Sequence, residues 1–371
     1  MLARIVNLAT KDFIQIARDR ILAPFIVLGM TFQLVLLALA TSRDIAGLPM
    51  GVLDLDNSQW SRTLVAALDN TKELYQSQVL GSVGQADTLL DRGEITIAVI
   101  IPQGFASDLA AGRRPQVQVL VDGSNVWGGS TVVRIAEGVI ARFGQAVIQN
   151  RIGHSVPALL ELRSTVRFNE DLSSKYFTIP AELGLIVYMV TLLVAAAGIT
   201  RERELGTLEQ LMVTPLRRVE LIVGKAIPPV VVAFVDFLMM LAITVWVFHI
   251  PLRGSLFLLM ALTLLFIISE LGFGLAISAI SANQQQTLLF VFMLGILDMA
   301  FSGYLVAVEN MPSALRFASN FSPIHHYLII VRGVMLKGAT LSSLWPQTLA
   351  LAGLGTGILM LTFRSLRKRL D

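Results

Sequence analysis

Six long apolar runs, separated by polar segments, dominate the pattern of residues along this chain. Each run is about 20 residues or longer, the length that a helix needs to cross a bilayer core about 30 Å thick. A helix is the default inside hydrocarbon because it satisfies its own backbone N–H and C=O groups. The pattern therefore predicts six transmembrane helices. They cover residues 21–41, 177–200, 221–248, 255–281, 286–308 and 344–363.

Residues 42–175, between the first and second runs, alternate between short strand-like and helix-like stretches. Asp56-Asn57-Ser58 supplies turn and N-cap residues for the first of these helices. Strands that alternate with helices indicate a small layered α/β domain with a partly parallel sheet. The strands are predicted at 50–54, 94–101 and 116–122, and the helices at 60–68, 105–111 and 132–151.

The first 20 residues mix apolar positions with charges such as Lys11 and Arg18, which is typical of a helix lying in the membrane interface. The run that follows contains Ala38-Leu39-Ala40, which looks like a signal-peptide cleavage site. However, this run is longer than the apolar region of a signal peptide, and five more runs follow. We interpret residues 21–41 as an uncleaved transmembrane helix.

Lysine and arginine residues near the runs predict the orientation, because cytoplasmic flanks carry an excess of them. The N-terminal tail has four, the 201–225 loop five and the C-terminal tail four, against four in the short loops opposite. Both termini are therefore predicted in the cytoplasm. The predicted fold is a membrane all-α bundle of six transmembrane helices, with an inserted extracytoplasmic α/β domain between helices 1 and 2. Its parts are an interfacial helix (1–20), helix 1 (21–41), the α/β domain (42–175) and helices 2–6 (176–371).

Composition agrees with this interpretation. With 54% hydrophobic residues, only 15% charged residues and a mean hydropathy of +0.70, the chain is too apolar for a soluble protein of 371 residues. The isoelectric point near 9.3 is explained by topology and requires no nucleic-acid partner. The absence of cysteine excludes disulfides and thiol chemistry.

The segment 201–215 is a charged stretch followed by a short amphipathic helix. Thr207 is its predicted N-cap, with Gln210 completing a capping box. Pro215 stops the helix, because the residue before a proline avoids the α region. A helix of one or two turns is not stable alone, so its apolar face is expected to pack into a partner protein. That face consists of Leu208, Leu211 and Met212.

This segment resembles the cytoplasmic loop after the second span of type-2 permeases of ATP-binding-cassette (ABC) exporters, with the pattern E-[KR]-E-x-G-T-x-E-x-L-x-x-[ST]-P. The matching residues are Glu202, Arg203, Glu204, Gly206, Thr207, Glu209, Leu211, Thr214 and Pro215. Phe301-Ser302-Gly303-Tyr304 and Ser322-Pro323 are similar to the family's segments around the fifth and sixth spans. The resemblance covers nearly the whole chain.

The resemblance implies the permease subunit of an ATP-driven exporter in a bacterial inner membrane. Such permeases pair as homodimers or heterodimers with two ATPase subunits. Family members with a large external domain are commonly assigned to drug efflux, with a periplasmic adaptor and an outer-membrane channel as further partners. The cytoplasmic coupling helix, at 201–218, would contact the ATPase. Its expected contact residues are Glu202, Arg203, Glu204, Gly206, Thr207, Leu208, Glu209, Leu211, Met212 and Pro215.

No G-x-x-x-x-G-K-[ST] phosphate-binding loop occurs in the sequence, and the only Gly-Lys pair, Gly224-Lys225, lacks its context. The chain is therefore predicted to be no enzyme and to hold no cofactor, with ATP and Mg²⁺ bound by a partner subunit. One alternative for segment 201–215 is an ordinary solvated loop with surface ion pairs. An alternative for the whole chain is a membrane-anchored sensor or receptor that binds a ligand through its external domain.

Three carboxylates fall near mid-membrane depth: Asp236, Glu270 and Asp298. A central aspartate costs about 2.5 to 3.5 kcal/mol on insertion scales, so such residues usually face a cavity or a partner. One interpretation is that they line the translocation path and attract cationic or zwitterionic substrates, or relay protons. The other is that they are protonated, or hydrogen-bonded between helices to residues such as Ser269, Thr244 and Thr263.

Other candidate features favour structural roles. Gly353 and Gly357 form a GxxxG pattern that is expected to pack within the bundle. Asp54 and Asp56 are expected to cap a turn, and His325-His326 has no metal-ligand spacing, so no metal site is predicted.

Overall fold

The computed structural model describes residues 2–41, 47–123, 126–152, 167–169, 173–207 and 217–369. The chain forms two compact units, one from Met1–Ser42 with Thr165–Asp371 and the other from Arg43–Ser164. Several residues of the predicted coupling helix lie outside the described residues. They are Leu208, Glu209, Leu211, Met212 and Pro215.

Six helices of the first unit are long and apolar enough to cross a membrane, within the described part of the chain, and this confirms the prediction. A further helix, Leu2–Ala17, precedes them. The first and third spans each contain one π-helical turn, Phe25–Gly29 and Ile243–Val247. The spans are Leu22–Thr41, Lys175–Glu204, Val219–Val247, Leu256–Ile280, Gln284–Phe301 and Leu341–Arg364.

Local caps set the ends of several spans. The Ser255 hydroxyl accepts from Leu258 N–H at the start of the fourth span, and Asn283 Oδ1 accepts from Gln286 N–H at the start of the fifth. The fifth span begins at Gln284, two residues before its predicted start. That span ends at Phe301, before its predicted end, because Gly303 adopts a left-handed conformation (φ 84°).

The second span is the most buried of the six, and it packs against the first, third, fourth and fifth spans. It also contacts a 15-residue helix, Pro323–Lys337, that the sequence pattern left as a connecting segment. Pro323 occupies the first turn of this helix, and Gly338 (φ 66°) ends it. The Tyr327 ring stacks on Phe266 of the fourth span, with ring centroids 4.0 Å apart. Short helical segments, Val308–Asn310 and Ser313–Ser319, precede it.

Small residues bring the fourth and sixth spans close together, although not through the predicted glycines. A Cβ atom at Gly355 would lie within 3 Å of Ser269, and one at Gly272 would clash with Ile358. Gly353 and Gly357 have no described atom within 4 Å of a Cβ position. The expectation that this GxxxG pair packs within the bundle is wrong, because Gly355 lies on the opposite face of the helix.

The second unit is built on a four-stranded sheet. Its strands, in chain order, are β1 (Leu48–Asp54), β2 (Leu74–Val79), β3 (Ile97–Ile101) and β4 (Gln118–Val121), and their order in the sheet is β2-β1-β3-β4. Strand β1 is parallel to β2 and β3, and β3 is antiparallel to β4, so the sheet is partly parallel as predicted. The alternating pattern missed β2, an edge strand with polar residues at every second position, and the helix after it. The helices are Gln59–Asp69, Val83–Asp91, Phe105–Ala111 and Val126–Ile152.

Asp54 and Asp56 cap the turn after β1, which confirms the structural interpretation. Asp54 Oδ1 accepts from the N–H groups of Asp56 and Asn57, and its Oδ2 accepts from the Ser61 hydroxyl at 2.6 Å. The Ser58 hydroxyl, together with the backbone N–H of Ala106, holds the pKa of Asp56 below its usual value. The described residues contain no cluster of three or more potential metal ligands.

Candidate functional site

The second span ends within the charged segment that begins at Arg201. Gly206 follows the last helical turn with φ 67°, and its N–H donates to Arg203 O at 3.1 Å. This is the arrangement by which a glycine in the left-handed region closes a helix. The Thr207 hydroxyl donates to the Glu202 carboxylate and so holds the chain leaving the helix against its last turn. The capping box predicted for Thr207 involves Gln210, which lies outside the described residues.

Glu202 lies at the centre of a buried ion cluster that consists of Lys11, Asp12, Glu202 and Lys225. Glu202 Oε1 lies 2.5 Å from Lys11 Nζ and 3.0 Å from Lys225 Nζ. Lys225 Nζ also lies 2.9 Å from Asp12 Oδ1 and donates to Gly198 O at 3.2 Å. The side chains of Glu202 and Lys225 are 1% and 4% exposed. Two cations face two anions, so the buried charges are balanced.

The N-terminal helix reaches this cluster because its apolar face packs on the third span. Ile5, Leu8, Ala9 and Asp12 are its buried residues. Gly224 leaves the space for Leu8, since a Cβ there would lie 2.7 Å from Leu8 Cδ2. Burial raises the pKa of the Asp12 carboxyl, and the adjacent Lys225 offsets only part of this effect. The ion cluster therefore joins the N-terminal helix to the second and third spans.

A second ion pair links the same elements near the start of the first span. Arg201 Nη1 lies 2.8 Å from Asp19 Oδ2, while Asp19 Oδ1 accepts from the N–H groups of Ile21 and Leu22. Burial alone would raise the pKa of Asp19, but the N–H groups of Leu22 and Ile21 and the Arg201 guanidinium lower it below its usual value. Asp19 therefore both caps the first span and holds the end of the second.

Arg203 and Glu204 contact the turn that joins the fourth and fifth spans. The Arg203 guanidinium donates to Ser281 O, and Glu204 Oε2 accepts from Gln284 Nε2 at 2.5 Å. One turn earlier, the Thr200 hydroxyl lies 3.0 Å from the hydroxyls of Ser278 and Thr287. Residues 201–204 thus bond to other parts of the chain and are more than surface ion pairs, whereas the solvated-loop alternative stays untested for 208–215, which lie outside the described residues.

The three predicted mid-membrane carboxylates have different surroundings: Asp236 and Glu270 are buried, and Asp298 is half-buried. Asp298 accepts from the Tyr188 hydroxyl at 2.6 Å and from the Ser322 hydroxyl at 2.7 Å. Glu270 is 1% exposed and Asp236 is 3% exposed. Glu270 Oε1 and both Asp236 carboxylate oxygens have no hydrogen-bond partner among the described residues.

The hydrogen bonds expected from Ser269, Thr244 and Thr263 are not formed, and the inter-helix hydrogen bonds of Asp298 come from other hydroxyls. Ser269 donates to Leu265 O and Leu351 O, and Thr263 bonds Tyr327. Thr244 Oγ1 has no partner among the described residues. Both carboxylate oxygens of Asp298 therefore accept hydrogen bonds, whereas Glu270 Oε1 and both oxygens of Asp236 have no partner among the described residues.

Glu182 is a further buried carboxylate within the spans, and sequence reasoning missed it. It lies in the second span, fully buried, and accepts from Gln33 Nε2 at 2.6 Å and from the Tyr304 hydroxyl at 2.5 Å. The available signal was an acidic residue inside a long apolar run. Glu182 lies near the start of the run at 177–200, so it was not counted among the mid-membrane carboxylates.

A cavity of about 360 Å³ opens where the first residues of the first and fifth spans meet the end of the second. Its walls are mostly apolar, and the Arg201–Asp19 ion pair lies at one end. A much smaller cavity of about 30 Å³ shares Arg201 and Ala197 with it and extends to Asp12 and Lys225. The residues of the ion cluster and of the larger cavity are therefore neighbours.

Comparison with known proteins gives a consistent result. The model of the ABC-2 family transporter protein matches residues 21–364. The probable multidrug ABC transporter permease YbhR of Escherichia coli (strain K12) is 28% identical over 360 residues, which are 96% of this chain and 97% of that protein. The inner membrane transport permease YhhJ of the same strain is 26% identical over 99% of this chain and 98% of its own length. ABC transporter G family member 20 of Dictyostelium discoideum is 21% identical over 91% of this chain and 46% of its own.

Proposed function

This chain belongs to the ABC-2 family of transporter proteins, and we propose that it is the membrane-spanning permease subunit of an ATP-driven exporter whose energy comes from separate ATPase subunits. The chain is a multi-pass transport permease. The observation that carries the proposal is the ion cluster, because it ties the start of the coupling segment to helices that form the membrane bundle.

The contacts of residues 202–204 suggest how a force on the coupling segment would spread. Glu202 is bound to the N-terminal helix and the third span, and Thr207 is bound to Glu202. Arg203 and Glu204 are bound to the turn between the fourth and fifth spans. An ATPase that moves the segment would therefore move four spans and the N-terminal helix together. In this proposal Glu202, Arg203 and Glu204 transmit the movement, and the residues outside the described ranges contact the ATPase.

The proposed assembly follows the family pattern. Two permease chains, identical or different, work with two ATPase subunits that bind ATP and Mg²⁺. The chain lies in a bacterial inner membrane with both termini in the cytoplasm and residues 42–175 in the periplasm, where an adaptor that leads to an outer-membrane channel can bind. The excess of Lys and Arg in the 201–225 loop and the two tails supports this orientation.

We propose drugs or other amphipathic small molecules as the exported class. The names of the relatives YbhR and YbhS describe probable multidrug transporter permeases, and both are aligned with nearly this whole chain. Three buried carboxylates (Glu182, Asp236 and Glu270) and the half-buried Asp298 within the apolar bundle would favour substrates with a positive charge. The sequence contains no G-x-x-x-x-G-K-[ST] phosphate-binding loop, so we assign ATP binding and hydrolysis to a partner subunit.

Co-purification with an ATPase tests this function directly. The tagged full-length chain, extracted from the membranes of its own organism with a mild detergent, is expected to bring down a protein that contains a G-x-x-x-x-G-K-[ST] motif. The ATP turnover of that protein should rise when this chain is bound. Recovery of the chain without any ATPase, together with ligand binding by its external domain, would instead support a sensor or receptor.

Neutralising the mid-membrane carboxylates is expected to lower the efflux of a cationic dye. Glu270→Gln and Asp298→Asn should each reduce ATP-dependent dye transport in inverted vesicles by about tenfold, because each removes a negative charge from a low-dielectric path (about 1.4 kcal/mol). Asp236→Asn is expected to act in the same direction. Transport of an uncharged dye in the same vesicles is the control. Unchanged cationic efflux from all three variants would remove these residues from the path.

A further inference from the structure

The larger cavity lies at the membrane surface, on one side of the bilayer. It is formed by the start of the first span, the end of the second and the start of the fifth. Successive spans cross the membrane in opposite directions, so these three helix ends share one membrane face. In the proposed orientation this face is cytoplasmic.

One end of the cavity is apolar and opens sideways. Leu193 lines its inner wall, while Phe25, Leu288 and Phe292 line it and are also exposed on the outside of the bundle. At roughly 30 Å³ per water-sized group, a cavity of about 360 Å³ holds about a dozen heavy atoms. That is enough for a phosphate group and the first part of an acyl chain, with the rest of the chain in the bilayer.

At the other end of the cavity, the charged side chains have more unoccupied hydrogen-bond donors than unoccupied acceptors. Both Asp19 oxygens are occupied, one by two backbone N–H groups and the other by Arg201. Arg201 has five N–H donors, and only Nη1 has a partner among the described residues. The guanidinium lines the cavity, so its remaining donors suit the oxygens of an anion.

We propose that this cavity binds an anionic phospholipid of the cytoplasmic leaflet, with its phosphate on Arg201 and one acyl chain against Phe25, Leu288 and Phe292. Lysine and arginine side chains in pockets between transmembrane helices on the cytoplasmic side bind such head groups, and Arg201 is the cation of this cavity. The opening towards the bilayer favours a lipid over a soluble anion. The assignment to the cytoplasmic leaflet depends on the orientation given under the proposed function, whereas the binding site itself does not depend on it.

An occupied site would act on the coupling segment. A phosphate on Arg201 competes with Asp19, which is the residue that ties the start of the first span to the end of the second. Arg201 directly precedes Glu202, and the smaller adjoining cavity reaches Asp12 and Lys225 of the ion cluster. The lipid is therefore placed to adjust how firmly the second span is held to the N-terminal helix.

Native mass spectrometry of the delipidated full-length chain tests the proposal. The chain is titrated with phosphatidylglycerol and with phosphatidylcholine that carries the same acyl chains. Phosphatidylglycerol should bind about tenfold more tightly, and Arg201→Gln should remove that difference. Asp19→Asn keeps the oxygen that caps the first span and releases Arg201, so it should tighten phosphatidylglycerol binding. Ala197→Phe, which fills the cavity, should weaken the binding of both lipids.

Arg364→Gln is the matched control. It removes an equal charge at the end of the sixth span, which lies on the same membrane face and does not line the cavity, so it should leave the lipid preference unchanged. Equal binding of the two lipids by the unmodified chain, or an unchanged preference in Arg201→Gln, overturns the proposal. Displacement of the lipid by an equal concentration of glycerol phosphate would also overturn it, by indicating a soluble anion. The experiment uses neither ATP nor an ATPase, so its failure is distinct from failure of the export function.

Discussion

Replacing Lys225 with methionine is expected to release the N-terminal helix from the bundle and to abolish transport. Lys225 is almost fully buried and contacts Asp12, Glu202 and the carbonyl of Gly198. Removing one partner of a buried ion pair typically costs about 3 to 5 kcal/mol, because the remaining charge has no compensation. Here Asp12 would lose the cation that lies 2.9 Å from its carboxylate. The measurement is the thermal unfolding midpoint in detergent, together with protease cleavage within residues 2–17.

Lys11 provides a matched comparison, since it contacts the same oxygen of Glu202 as Lys225 does. Its side chain is 45% exposed, so water screens the pair and Lys11→Met should cost about 1 kcal/mol or less. The double variant Lys225→Met/Glu202→Gln should recover part of the stability that Lys225→Met loses, because fewer charges remain uncompensated. Equal effects of Lys225→Met and Lys11→Met would contradict the view that the buried cation organises the cluster.

Gly206→Pro is expected to leave the protein inserted in the membrane but unable to couple ATP hydrolysis to transport. Gly206 has φ 67°, whereas proline is restricted to φ near −65° and lacks the N–H that donates to Arg203 O. The turn between Arg203 and Gly206 would have to open, and the coupling segment would then leave the end of the second span in a different direction. The measurement is ATP-dependent dye uptake by inverted vesicles, normalised to the amount of inserted protein.

Two other substitutions separate backbone geometry from side-chain bulk. No described atom lies within 4 Å of a Cβ position at Gly206, so no described residue would clash with a side chain there. Gly206→Asn should retain most transport, since asparagine adopts the left-handed region readily, whereas Gly206→Val should be nearly as inactive as Gly206→Pro. Glu209→Lys is also expected to insert normally and fail to transport, through the ATPase contact. Normal export by Gly206→Pro and Glu209→Lys would refute the coupling assignment.

The spans were predictable from the sequence because a run of apolar residues long enough to cross a bilayer has few other structural solutions. The helix Pro323–Lys337 was not, since 15 residues are too few to span and its burial depends on contacts with four other helices. Strand β2 was missed because only one of its residues is buried, and an edge strand needs little apolar character. The local pattern of residues does not predict elements whose formation depends on contacts with distant parts of the chain.

The candidate site was likewise predictable only in part from the sequence. The motif at 202–215 identified the family, which the match over residues 21–364 confirms. The inward contacts of Glu202 were not predictable, because its partner Lys11 lies 191 residues away and Asp12 and Lys225 are separated by 213. Periodicity and spacing carry no information on such pairs. The ATPase contacts of the residues beyond Thr207 stay a prediction.

The order in which the chain is synthesised determines when the ion cluster can form. Asp12 leaves the ribosome 213 residues before Lys225, the cation that neutralises it in the finished protein. At 5 to 20 residues per second, this interval is roughly ten to forty seconds. During that time the N-terminal helix has no third span to dock on and is exposed at the membrane surface to proteases and chaperones. A pause in translation before codon 225 should therefore increase degradation of the nascent chain, whereas a pause after the third span has been inserted should not.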